Sequence, residues 1–253
     1  MAGHSKWANI KRQKARVDAK KGKTFTQLSR AIIVAARQGT PDPAGNFQLR
    51  TAIEKAKAAG IPNENIDRAI AKGAGTFSSD DANYEEIRYE GYGAGGVAIL
   101  IEALTDNRNR TAADLREAFS KNGGNLGETG CVSWMFTHKG VVILTADNVD
   151  EEALLEASMA GEAESYEIVA DNNEIEVLTA VDNLEYLGKT LQQEGFQVKE
   201  SELRWIPETE MELSDTTQLQ AVLKMIDALE SLDDVQNVTA NLAIAPNVDL
   251  AQL

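Results

Sequence analysis

The chain has 253 residues, 43% of them apolar and 26% charged, with a formal net charge of −15. That composition can build a sizeable core in one or two domains. It excludes a membrane span, because the longest apolar runs, such as Gly96–Ile101 and Val141–Leu144, fall far short of the ~20 residues that a bilayer demands.

The charge is divided along the chain. Residues 1–23 carry Lys6, Lys11, Arg12, Lys14, Arg16, Lys20, Lys21 and Lys23 against Asp18 alone, a net +7. Residues 1–75 hold 15 Lys/Arg and 5 Asp/Glu, while residues 76–253 hold 10 and 35, so the two parts carry +10 and −25. Such a chain offers one pole to polyanions and keeps the other away from them. Trp7 stands among the cations, available to stack on a base, so residues 1–23 read as a nucleic-acid-binding arm. Nothing apolar follows the arm until about Ile32, which argues against a secretory signal. A mitochondrial transit peptide would be rich in Arg and Ser where this arm is rich in Lys. A single cysteine, Cys131, rules out an internal disulfide and fits a reducing cytoplasm, the expected location.

Residues 24–75 predict three helices. The first opens at Thr24 with Gln27 three residues on, a capping-box pattern, and carries Phe25, Leu28, Ile32 and Ala35 on one stripe, with Arg30 among its cations. The second starts at Asp42-Pro43, and the third near Asn63, with Ile66, Ala69 and Ile70 facing inward. Asn65, Arg68 and Lys72 then fall on the outer side of the third helix. A short turn joins the last two helices, so a helix-turn-helix-like pair is conceivable, with those three residues directed at bases or phosphates.

Beyond residue 75 strands alternate with helices. Residues 138–202 read as βαββαβ, the ferredoxin-like signature. The flanking segments read as a second copy across that insert: strands over 97–104, 132–137, 203–211 and 235–244, with helices over 110–122 and 215–231. The expected fold is therefore α+β with three domains, the alternative to the nested pair being one large mixed α+β domain. A three-helix bundle (24–75) follows the arm (1–23), and then one ferredoxin-like domain (76–137 plus 203–253) holds another (138–202) inserted in it.

Two motifs resemble nucleotide sites and fail on context. Gly22-Lys23-Thr24 lacks the earlier glycine and the preceding strand of a phosphate-binding loop. Gly91-Tyr92-Gly93-Ala94-Gly95-Gly96 matches G-x-G-x-x-G, but the following VAILIEAL reads as a strand where a dinucleotide site needs a helix, so a glycine hairpin or bulge is expected. A second glycine cluster, Gly123, Gly124, Gly127 and Gly130, leads to Trp134 and Met135, which read either as tips of a mobile loop or as buried anchors of the next strand. Cys131, His4 and His138 do not have the spacing of a zinc site, and no carboxylate pair stands out for acid–base work. The expectation is no catalytic residue, no metal and no cofactor.

Three blocks, GHSKWANIKRQKARVDAKKGKTFTQLSRAIIVAAR, GAGTFSSDDANYEEIRYEGYGAGGVAILIEALTDNRNRT and GGNLGETGCVSWMF, closely resemble the YebC/PmpR family. The family includes bacterial probable transcriptional regulators and a mitochondrial translational activator. The resemblance implies a helical domain followed by two α+β domains, and a cytoplasmic, non-enzymatic protein acting on gene expression. It leaves two partners open. One is DNA, for a transcriptional regulator. The other is ribosomal RNA, for a ribosome-associated factor that relieves stalling at proline-rich stretches, with a basic protein partner meeting the acidic domains.

Overall fold

A computed structural model describes residues 21–75, 84–147, 149–169, 173–246 and 248. The N-terminal part is helical and the rest is β-rich, an α+β fold. Helix α1 (Lys21–Gln38) packs against both α2 (Phe47–Ala58) and α3 (Asn63–Gly73), whereas α2 and α3 touch each other little. Their shared core holds Ile32, Ala36, Leu49, Ala56 and Ile66, with Phe25 and Leu28 packed against it.

Two helix starts differ from expectation. α1 is already helical at Lys21, and the Gln27 side chain donates to the Val235 carbonyl at 2.7 Å rather than completing a capping box. Asp42-Pro43 opens only a single 3-10 turn, Pro43–Gly45. α2 begins after Asn46, whose Oδ1 accepts from the Leu49 amide at 3.0 Å while its Nδ2 donates to the Ala35 and Thr40 carbonyls. One buried amide thus caps α2 and ties down the end of α1.

Residues 136–208 form one compact unit, and the described residues on either side form another. In the flanking unit β1 (Glu85–Tyr92) and β2 (Ala98–Thr105) form an antiparallel hairpin. The glycine run makes its turn, with Gly95 and Gly96 at φ of +68° and +79° that disfavour side chains. Helix α4 (Arg108–Lys121), capped by Asn107, leads to β3, only Asn125–Leu126. The sheet order is β3-β1-β2-β9, with β9 spanning Val235–Ala240. β2 is buried along both faces, with Ile99 and Ile101 at 0% exposure and Leu100 at 1%. Gly91 is where β1 meets β3 and α4; a Cβ there would lie 2.6 Å from both the Phe119 ring and the Asn125 carbonyl.

The inserted unit runs β4 (Phe136–Thr145), α5 (Glu151–Ala160), β5 (Ser165–Val169), β6 (Glu174–Thr179), α6 (Leu184–Gln193) and β7 (Val198–Pro207). Its antiparallel sheet has the order β5-β6-β4-β7, the ferredoxin-like arrangement of a βαββαβ chain. Val142 and Leu144 pair with Val177 and Ile175, and Leu154, Leu187 and Leu191 join them in the core.

The boundary strands differ from the expected ones. Residues 132–137 and 203–211 do not form separate strands of the flanking sheet. Phe136 opens β4, residues 203–207 end β7, and the two strands pair from Phe136↔Pro207 to Leu144↔Val198. Of the two positions they were expected to fill, the inner one belongs to β1 and the edge one to β3. Short β8 (Met211–Leu213) pairs in parallel with β10 (Leu242–Ile244). Between them in sequence lies α7 (Thr216–Glu230), capped by Asp215. Asn241 separates β9 from β10 and accepts from the Ala98 amide at 2.8 Å.

Candidate nucleic-acid interface

Residues 21–75 carry nine Lys/Arg and four Asp/Glu, but their cations do different work. Arg50 lies over the Phe47 ring and donates to the Pro43 carbonyl at 2.7 Å, holding the 3-10 turn against α2. Arg30 is committed to the flanking sheet. Its Nη1 donates to Asp234 Oδ1 and to the Asp233 carbonyl, both at 2.6 Å, and its guanidinium lies over Tyr84. With its side chain 14% exposed, Arg30 does not face outward to a phosphate as expected.

Asn65 and Arg68 are exposed and Lys72 is half-buried. Their i, i+3, i+7 spacing sets them on one stripe, which runs beside the buried Ile66, Ala69 and Gly73. Exposed Lys57 on α2 adds an outward charge, while exposed Glu64 and Asp67 dilute the stripe. Lys21 and Lys23 lie in the first turn of α1. Lys6, Trp7, Lys11, Arg12, Lys14, Arg16 and Lys20 lie outside the described residues.

Asp234, 5% exposed, joins the helical domain to the sheet. Besides Arg30 it receives Arg110 Nη2 at 2.8 Å and the Thr111 hydroxyl at 2.7 Å. Burial alone would raise its pKa. The hydrogen bonds from Arg110, Thr111 and Arg30 outweigh that and hold the carboxyl below its ordinary range. The same contact pushes the Arg110 guanidinium up, with help from Asp106.

A second buried carboxylate organises the glycine loop after β3. Glu90, on β1 and 3% exposed, accepts the amides of Gly130, Val132 and Ser133 at 2.7, 2.6 and 2.8 Å. Desolvation raises its pKa, and the three backbone donors more than reverse this, leaving it lowered. The Tyr92 hydroxyl and Trp134 Nε1 both donate to the Cys131 carbonyl, at 2.9 and 3.2 Å. The loop is pinned. Trp134 stands out of it at 68% exposure, while Val132 is the buried anchor. Burial, together with the Glu90 charge, pushes the Cys131 thiol up, away from the thiolate that a nucleophile needs. His138 stacks on Trp205 with ring centroids 4.6 Å apart. Among the described residues no group of three His, Cys, Asp or Glu is gathered to hold a metal ion.

Sequence reasoning missed Asp234 and Glu90. The only signal for Glu90 was a carboxylate inside a strand beside a glycine. None marked Asp234, whose partners lie 124 and 204 residues away.

Family models match almost the whole chain, with a break between the N-terminal helices and the strands. The TACO1/YebC N-terminal domain matches residues 5–76, and the TACO1/YebC second and third domain matches residues 84–242. The chain belongs to the TACO1/YebC family.

Family relatives include a probable transcriptional regulatory protein of Picosynechococcus sp., 80% identical over 246 residues, covering 97% of this chain and 98% of the relative. Another of that description, from Rippkaea orientalis, is 71% identical over 255 residues and covers the whole of both chains. Among solved structures, a conserved hypothetical protein from Aquifex aeolicus superposes with a TM-score of 0.81 at 44% identity, covering 92% of this chain and 95% of its own. The match to the family's N-terminal domain thus covers most of the basic arm and the α3 stripe, and the match to its second and third domains covers both four-stranded sheets. No helix among the described residues is long and apolar enough to cross a membrane.

Proposed function

We propose that this chain is a non-enzymatic, nucleic-acid-binding regulator of gene expression, engaging DNA as a transcriptional regulator. The observation that carries the reading is the Asn65–Arg68–Lys72 stripe, exposed at Asn65 and Arg68, within the only strongly basic part of the chain, in a family whose relatives are described as probable transcriptional regulatory proteins. Lys and Arg neutralise phosphates and release counterions, whereas three side chains diluted by Glu64 and Asp67 make a sparse reading face. Affinity therefore comes mainly from the arm, and sequence discrimination is weak.

A second reading, a ribosome-associated RNA-binding translation factor that relieves stalling at proline-rich stretches, draws on two observations. α2 and α3 are held by α1 rather than by each other, unlike the mutually packed pair that presents a recognition helix to a major groove. The −25 remainder is repelled by a long duplex but tolerated where RNA and basic proteins alternate.

Crosslinking in cells, followed by sequencing of the bound nucleic acid, tests both. Promoter DNA supports the first reading, ribosomal RNA the second, and recovery of neither sinks both. In vitro, Lys11, Arg12, Lys14 and Arg16 replaced together by Ala should flatten the salt dependence of binding by about 0.7–0.9 log units per lost phosphate contact. An unchanged slope removes the arm from the site.

A further inference from the structure

The inserted unit carries apolar side chains where a solvated helix would be polar. On α5, Leu154, Ala157 and Ser158 are buried, while Leu155 and Met159, one turn apart on the other side, are 47% and 71% exposed. Tyr186 on α6 is 53% exposed, and its hydroxyl donates to the Ala160 carbonyl at 3.3 Å, so its ring stands beside the last turn of α5. Ile168, 45% exposed, lies on edge strand β5 opposite Ile175, the sheet face that builds the core with these helices. Single exposed apolar residues are ordinary on a protein surface. A group on one layer needs an occupant.

Charge selects that occupant. Residues 136–208 hold 17 Asp/Glu and 4 Lys/Arg, a net −13. All four cations are bound to the unit's own carboxylates: Lys139 to Glu164, Lys189 to Glu185, Lys199 to Glu174, and Arg204 to Glu176 and Glu202. The α5 stripe is flanked by Glu151, Glu152 and Glu156. Nucleic acid is repelled from such a surface, and so is a second copy of the same unit, which would bring −13 against −13.

We infer that the Leu155–Met159–Tyr186 face of the inserted unit docks a Lys/Arg-rich amphipathic segment of a partner protein, its apolar side chains on Leu155 and Met159 and its cations on the flanking glutamates. Met and Tyr suit the role, since the thioether adapts its shape and the tyrosine supplies a rigid apolar area with a polar end. The surface is separate from the α3 stripe and goes beyond the nucleic-acid reading.

The test uses the full chain and three fluorescein-labelled 18-residue probes: a Lys/Leu amphipathic helix, a Glu/Leu helix, and a Lys/Ser peptide of the same charge as the first. The Lys/Leu helix should bind, and both others should bind at least about tenfold more weakly. Met159→Gln should weaken the Lys/Leu helix by about tenfold, the contribution of one buried apolar side chain, and the double variant Leu155→Ser/Met159→Ser by about a hundredfold. Met159→Glu separates the terms, because attraction by charge alone predicts tighter binding and apolar docking predicts weaker binding. Far-ultraviolet circular dichroism matching the parent shows that each variant is folded. Equal binding of the Lys/Leu and Lys/Ser peptides overturns the inference, as does unchanged or tighter binding by Met159→Glu. Sedimentation showing dimers that Met159→Gln abolishes would also overturn it, by making a second copy the occupant.

Discussion

The two four-stranded sheets place their strands alike but are threaded differently. In the inserted unit β4, β5, β6 and β7 fill the ferredoxin-like order in the order the chain makes them. In the flanking sheet the corresponding inner position is taken by β1, delivered by a hairpin with β2 before the first helix. The chain after α4 therefore supplies only two paired residues, Asn125 and Leu126, and is then released from the sheet. Released chain brings unpaired amides, and Glu90 on the substituted strand accepts three of them. Rethreading a sheet thus created both a loop and the need for a buried charge to hold it.

The inserted unit has its own internal charge of opposite kind. Arg204, 18% exposed at the side chain, lies between Glu176 at 2.9 Å and Glu202 at 2.6 Å. One unit satisfies an anion with backbone, and the other satisfies a cation with side chains.

Experiments that remove these charges should separate the two units. Glu90→Ala strands three amides and should cost about 3–5 kcal/mol in urea unfolding, with hydrogen exchange rising first at Gly130, Val132 and Ser133. If exchange rises equally in β4 and β6, the units do not respond separately. Asp234→Ala should cost less, about 2–3 kcal/mol, because Arg110 is 45% exposed and can be hydrated when its partner is lost. Its signature is faster exchange in α1 with the Glu90 loop still protected. Arg204→Met should cost about 1–2 kcal/mol, since the aliphatic replacement keeps much of the packing while taking the guanidinium away from two carboxylates. A change in Trp134 exposure in that variant would contradict the division.

The mildest perturbation is acid. Glu90 and Asp234 both titrate below their ordinary values in the folded state. Their stabilising contribution is complete above the ordinary carboxylate range, near pH 4. It is lost as pH falls through the depressed folded values, where the native state must take up protons it had excluded. Amide exchange followed during acid titration should show the loop and the α1 contact loosening together. Protection of both sites that does not fall as pH drops through the depressed folded values would show that neither carboxylate carries its site.

Most of the inserted unit was legible because its signals are local. Asp150 caps a helix, VVIL is a continuously buried strand, and Gly195, at φ +90°, follows the last helix. The glycine run was legible too, because the strand read after it excludes the helix of a dinucleotide site and leaves a turn. The expected strand at 132–137 failed for a non-local reason. Val132, Trp134 and Phe136 suit a strand by composition, but the amides of Val132 and Ser133 are taken by a carboxylate more than 40 residues earlier. Arg30 failed similarly. As a cation beside a basic arm it read as a phosphate contact, and its partner Asp234 lies 204 positions away. Within the candidate interface the α3 stripe was readable from helical period alone. How many of the neighbouring cations were already engaged was not.

The way the insert enters and leaves has its own consequence. Phe136 faces Pro207 across one strand pair, so the 73 residues from 136 to 208 begin and end about 5 Å apart. To the unit on either side, that whole length behaves like a tight hairpin turn, and the entropy of closing it is met by the folding of the insert itself. Such a junction is a cassette port. Residues 137–206 could be exchanged for a short β-hairpin, or for another domain with adjacent termini, and the host sheet would meet the same boundary condition.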